Sequence, residues 1–208
     1  EAPPPLPEPV FEPDRTYAVI EIGQEGADRA LRALCDVTIL RRYRVRYNRE
    51  NWPTCSSREL MVGVSRPGDP PEAGAVLDGG RHIRVWEIFD LAAGADAAPL
   101  AGNYVLAAKA AQEDTIELFT GRVPVYKIVP GKIHYLGRMD ASGPVVARDV
   151  KGFARAFRGR FPGVGRTRLE TSPLGVLDVA CKPALGSTEE RINGFDCLGK
   201  RSRQRYFR

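Results

Sequence analysis

The sequence predicts a mainly β protein, an antiparallel β-sandwich carrying one late amphipathic helix. Three observations carry that prediction. Short runs rich in Val, Ile, Tyr, Phe and Thr recur from residue 16 onward with turn residues between them. Only one stretch, near residues 149–161, spaces its apolar residues convincingly for a helix. The composition, 43% apolar and 27% charged over 208 residues, is that of a globular chain long enough to bury a core. No apolar run approaches the roughly 18 residues that a membrane-spanning helix needs.

Taken in order, the first fourteen residues hold six prolines and four acids, a composition that predicts a semi-rigid, polyproline-like tether rather than a packed element. "TYAVIEI" from Thr16 reads as a strand ended by Gly23. "GADRALRAL" offers a brief helical pattern through Ala30, Leu31 and Leu34. "CDVTILRRYRVRYN" then reads as a long strand and "RELMVGV" as another, closed by the loop "SRPGDPPEAG". "RHIRVWEIFDL", "GNYVLAAKA", "TIELFT", "VPVYKIVP" and "KIHYLGR" follow as short strands, with Gly131 after Pro130 as a hairpin turn. In "DVKGFARAFRGRFPG", Asp149 caps a helix whose stripe is Val150, Phe153, Ala154, Phe157 and Phe161, and Pro162-Gly163 stops it. Lys151, Arg155 and Arg158 project away from that stripe. The stripe is expected to pack on the sheet; a membrane-surface helix is the alternative. "LGVLDVACKP" supplies a last strand. The expected organisation is a tether over 1–14, a β-domain over 15–198 and a basic tail over 199–208.

Charge is unevenly placed. Residues 1–120 hold 13 Lys+Arg against 19 Asp+Glu, a net of −6, whereas residues 121–208 hold 18 against 7, a net of +11. Such asymmetry suggests that one end of the molecule meets an acidic partner. Read with period two, "ILRRYRVRYNRE" puts Arg42, Arg44 and Arg46 on one face, about 7 Å apart, a spacing that suits phosphate or sulfate groups. An ordinary solvated sheet face neutralised by neighbouring acids explains the same row. The terminal "KRSRQRYFR" carries Lys200, Arg201, Arg203, Arg205 and Arg208 without an acid, and reads either as a polyanion-contacting tail or as a solvated end.

Four cysteines stand at 35, 55, 181 and 197. Their spacing matches no zinc motif, and no metal is expected. Two local disulfides, Cys35–Cys55 and Cys181–Cys197, would each close a loop of roughly 15 to 20 residues and contribute about 3 kcal/mol. Four buried free thiols are the competing reading, and four cysteines allow three pairings. Disulfides would place the chain in the periplasm or at the cell surface.

Catalysis finds little support. His82 and His134 each sit inside a strand-like run. "GVSRPG" fails the spacing of a nucleophile elbow, and "GRFPGVGR" lacks the Lys-Ser/Thr of a phosphate loop. Asp78, Asp90, Asp140 and Asp178 are scattered. No enzyme activity and no cofactor are expected, against the roles that a catalytic site must fill.

One segment carries a resemblance. Gly102-Asn103-Tyr104-Val105-Leu106 and Val129-Pro130-Gly131-Lys132-Ile133-His134-Tyr135-Leu136-Gly137 resemble the strand and hairpin of small bacterial cell-envelope proteins, many of them predicted lipoproteins. The likeness covers about 40 residues and departs from the simpler members in its cysteines, arginine-rich strand and basic tail. It implies a prealbumin-like or immunoglobulin-like sandwich and no catalytic residue. The combined expectation is a non-enzymatic envelope protein that anchors, scaffolds or binds a partner. That partner would be an envelope protein or an anionic glycan or lipid headgroup, and membrane association would come only through an N-terminal anchor. The alternatives are a cytoplasmic nucleic-acid-binding protein and a hydrolase with an unrecognised site.

Overall fold

The computed structural model describes residues 6–23, 31–36, 61–64, 73–90, 92–94, 97–109, 116–119, 121–140, 143–145, 147–171, 173–179, 191–192 and 195–196. Within them the chain is mainly β with one helix. The strands are β1 (Thr16–Ile22), β2 (Leu31–Asp36), β3 (Met61–Gly63), β4 (Ala73–Leu77), β5 (Arg81–Asp90), β6 (Gly102–Lys109) and β7 (Ile116–Leu118). They continue with β8 (Gly121–Ile128), β9 (Ile133–Asp140), β10 (Gly143–Val145), β11 (Leu169–Glu170) and β12 (Gly175–Val179). The helix α1 is Val150–Arg160, and a short hairpin of β13 (Arg191–Ile192) and β14 (Phe195–Asp196) forms a second sheet.

The main sheet runs β10-β9-β1-β5-β3-β2-β6-β8-β12, with β11 beside β9, β4 beside β5 and β7 beside β6. It is mixed, which corrects the purely antiparallel expectation. β1 runs parallel to β9 (Tyr17 opposite Ile133, Val19 opposite Tyr135), and β11 is also parallel to β9. The parallel pair arises because β1 enters the sheet between β5 and β9, which are distant in sequence and free to take either direction.

The sheet rolls upon itself. β8 and β9 lie far apart along the hydrogen-bonded path, yet the buried Tyr126 hydroxyl on β8 donates to the Leu136 carbonyl on β9. Gly137 and Gly143 permit this approach. A Cβ on Gly137 (φ +84°) would stand 3.1 Å from the Tyr126 hydroxyl of β8 and 2.6 Å from the Val145 carbonyl oxygen of the neighbouring β10, and one on Gly143 (φ +110°) would stand 2.9 Å from the Phe119 ring.

Two apolar clusters result, because β1, β5 and β9 bury both faces. Ala18 and Ile20 of β1 join Leu34, Ile88, Leu106, Val125 and Leu136 inside the roll. Tyr17 and Val19, on the opposite face of β1, join Ile83, Ile133, Tyr135, Phe153 and Phe157 beneath α1. Asp149 caps the helix by accepting from the Gly152 amide at 2.9 Å, as its sequence predicts. Phe153 stacks on Tyr135 with ring centroids 3.5 Å apart.

Two local expectations change. Leu31–Leu34 belongs to a strand, since β2 pairs with both β3 and β6 and buries Ala33, Leu34 and Cys35 completely. Sheet pairing overrides a short apolar pattern that fits either period. Ala73 and Gly74, read as loop, begin β4, which turns through Asp78-Gly79-Gly80 into β5. The described part of the tether, residues 6–14, touches the folded body at several points.

Phe11 sits among Tyr17, Phe157 and Phe161 with centroids 5.2, 5.5 and 5.2 Å away. The Pro7 carbonyl accepts from the Gly74 amide at 3.0 Å. Arg168 fastens the segment. Its guanidinium donates to the carbonyls of Phe11 (3.3 Å), Glu12 and Arg15 (2.8 Å), and to Gly131 in the β8–β9 turn at 3.1 Å. The Thr16 hydroxyl accepts from the Gly131 amide at 2.9 Å, so that both backbone polar groups of Gly131 are held. Arg168→Ala is expected to cost about 2 kcal/mol or more, because several charge-assisted bonds are lost together. Hydrogen exchange should then accelerate across residues 6–17; unchanged exchange there would contradict this clamp.

Candidate anion-binding surface

The sequence-derived cations Arg42, Arg44, Arg46, Lys200, Arg201, Arg203, Arg205 and Arg208 lie outside the described residues, as do Cys55, Cys181 and Cys197. Cys35 is buried on β2 and disulfide-bonded; its partner also lies outside the described residues.

The described residues hold a cationic surface of their own on α1. Its eleven residues, "VKGFARAFRGR", contain four cations and no acid. At 3.6 residues per turn, Lys151, Arg155 and Arg158 stand at i, i+4 and i+7 and share one face. All three are exposed, while Phe153, Ala154 and Phe157 are buried against the sheet. The cationic row therefore points away from the body, along about 10 Å of helix. Arg160 leaves this row to pair with Glu8 of the N-terminal segment.

Local energetics run against such a row. Like charges four residues apart, as at Lys151 and Arg155, destabilise a helix by about 0.2–0.5 kcal/mol. A lysine in the first turn also opposes the helix dipole. The first turn contains no acid to offset it; Asp149, just outside, provides that compensation. The Gly152 amide, and then the Arg81 guanidinium, hold the Asp149 carboxyl below its ordinary pKa, with Arg155 adding to the effect.

Arg81 joins the helix start to the sheet. It pairs with Glu21 at 3.1 Å and with Asp149, and the Tyr135 hydroxyl donates to Glu21 at 3.2 Å. Partial burial disfavours the Arg81 charge, but Glu21 and Asp149 outweigh it and the guanidinium pKa rises. Burial, reinforced by Glu21, raises the Tyr135 pKa. One cation thus bridges two carboxylates, and the network ties the start of α1 to β1 and β5.

The histidines are not brought into a shared site. His82 is exposed on β5, whereas His134 is buried on β9 with its Nε2 about 3.0 Å from the Val129 carbonyl oxygen. A cleft of about 200 Å³, lined by Asp14, Arg15, Thr16, Glu87, Ile88, Ala97, Ala98 and Pro99, includes neither histidine. Arg15 and Glu87 pair across it at 2.8 Å. Among the described residues no cluster of His, Cys, Asp and Glu is arranged to hold a metal, and no helix is long and apolar enough to cross a membrane.

His134 gives a pH prediction. Burial lowers its pKa below the ordinary 6.5, outweighing the backbone contact at Val129 and nearby Glu170. The folded chain binds this proton less readily than the unfolded chain. Stability from this group is therefore full above 6.5, declines as pH falls below that value, and levels off below the folded pKa. Melting curves from about pH 8 to about pH 5 should show the decline, and His134→Gln should flatten it. An identical pH profile for wild type and His134→Gln would contradict the assignment.

The α1 row was legible in sequence as the side opposite the stripe. The informative signal for it is the absence of acid from residues 150–160. The chain matches no protein-family model, no curated protein and no solved structure.

Proposed function

We propose that this chain is a non-enzymatic extracytoplasmic binding module of the bacterial envelope that holds an anionic partner through a basic surface. The observation that carries the reading is the outer face of α1, where Lys151, Arg155 and Arg158 form an exposed row on a helix without acids. The buried stripe beneath it supports contact through charge alone, because Phe153 and Phe157 already serve the core. The disulfide state of Cys35 supports the oxidising compartment, with Cys35–Cys55 and Cys181–Cys197 as the proposed pairs. The likeness of residues 102–106 and 129–137 to envelope proteins points the same way. In this reading the two ends of the rolled sheet face each other as the layers of a sandwich, and Arg42, Arg44, Arg46 and the 200–208 tail extend the contact surface.

Elution from a carboxymethyl matrix tests the proposal. The triple variant Lys151→Gln/Arg155→Gln/Arg158→Gln should elute at clearly lower salt than wild type. Arg122→Gln/Lys127→Gln, two exposed cations of β8, should change elution little, and deletion of residues 200–208 measures the tail's share. If the helix variant elutes with wild type, α1 is not the contact surface. If wild type is not retained at all, the anionic-partner reading fails.

A further inference from the structure

We infer that the partner at the α1 face is an acidic polysaccharide, a linear chain with carboxylates on successive sugars. This rests on the anionic-partner reading above and narrows it to one ligand chemistry.

Three features select that ligand. The cations form a line rather than a disc: Lys151, Arg155 and Arg158 step along the helix by about 6 Å and then about 4.5 Å. An extended polymer with regularly recurring anions can meet all three at once, with the guanidinium groups of Arg155 and Arg158 suited to paired hydrogen bonds with carboxylate. Next, the helix offers no apolar wedge. A helix that binds a bilayer inserts large apolar side chains, but those of α1 are committed to the sheet. Finally, among the described residues the exposed large apolar side chains are Val10, Val76, Leu100, Val145 and Leu174, all aliphatic. Single-stranded nucleic acids are held by stacking bases on aromatic rings, and the described surface exposes no aromatic platform for this. What remains is charge paired with charge along a line.

The row carries the marks of selection for contact rather than for helix stability. Lys151 faces the unfavourable end of the helix dipole, offset there by Asp149 from outside the helix, and repels Arg155 one turn on. A solvated face optimised for stability would place Glu at one of these positions, and residues 150–160 contain none.

The test compares three probes at one buffer and equal anionic charge: polygalacturonate, oligo(dT), and vesicles of phosphatidylglycerol and phosphatidylcholine in equal parts. The expected result is preferential binding of polygalacturonate, weakened about tenfold or more by Lys151→Gln/Arg155→Gln/Arg158→Gln, with salt sensitivity as for any counter-ion-releasing contact. Circular dichroism of the variant verifies that its helix is retained. Preference for vesicles or for oligo(dT) would overturn the polysaccharide assignment while leaving the anionic-partner reading intact. Binding of none of the probes, with retention on the carboxymethyl matrix preserved, would also overturn it and would redirect the search to acidic proteins. Loss of that retention would overturn the broader reading as well.

Discussion

Replacing Phe157 with alanine is expected to destabilise the protein by about 3–5 kcal/mol, enough to unfold a marginal domain. Phe157 is fully buried and joins two assemblies. Through Phe153, 5.8 Å away by centroid, it belongs to the layer between α1 and the β1-β5-β9 face. Through Phe11, 5.5 Å away, it forms the seat of the N-terminal segment. Its loss should therefore lower the urea midpoint and also loosen residues 6–14. Phe157→Leu, which keeps most of the apolar volume, should cost much less than alanine. If alanine cost under about 1 kcal/mol, α1 would not be packed as described.

Gly137→Ala should have the next largest effect. Two penalties add: an L residue in the left-handed region costs about 1–2 kcal/mol, and the new Cβ would stand 2.6 Å from the Val145 carbonyl oxygen and 3.1 Å from the Tyr126 hydroxyl. Backbone cannot yield there without separating β10 from β9, or β8 from both. Gly131→Ala supplies the comparison. Its φ of +76° carries a similar backbone penalty, but a Cβ there meets nothing within 4 Å. The difference in urea midpoint between the two variants thus isolates the crowding at Gly137, from the paired β10 and from Tyr126 of β8. Equal destabilisation would mean that Gly137 is not crowded in this way.

The parts of this fold that sequence revealed are those in which local and tertiary preferences agree. Asp149, the Phe153-Phe157-Phe161 spacing and Pro162-Gly163 each mark one feature of α1, and the helix spans Val150–Arg160. The tight turn at Gly131 was readable because a positive φ leaves few alternatives to glycine, and its φ is +76°; the hairpin expected there does not form, since β8 pairs with β6 and β12 while β9 pairs with β1, β10 and β11. β2 was misread because Ala30, Leu31 and Leu34 suit a helix face, while the partners that make Leu31–Asp36 a strand, at residues 61–63 and 104–108, are remote in sequence. The parallel β1–β9 pair left no local mark for the same reason. Phe11 was hidden by its proline-rich surroundings, since composition reports stiffness but not the pocket that one aromatic ring fills.

The candidate site divides in the same way. The helix cations could be assigned to the outward side from periodicity alone, whereas which of them meet acids required the neighbours, Arg155 standing near enough to Asp149 to lower its pKa. Glu8 takes Arg160, and Glu21 with Asp149 takes Arg81. Among the described residues, no carboxylate within ion-pair distance is assigned to Lys151 or Arg158.

The central claim is that the outward row of α1 meets a polyanion, and the salt dependence of binding tests it most directly. Affinity for polygalacturonate should be measured across a salt series for wild type and for Lys151→Gln/Arg155→Gln/Arg158→Gln. If three contacts are lost, the slope of log affinity against log salt should be shallower in the variant by about 2, on the counter-ion release expected for a single-stranded polyanion. Parallel lines of equal affinity would contradict the claim and assign the basic surface of this chain elsewhere.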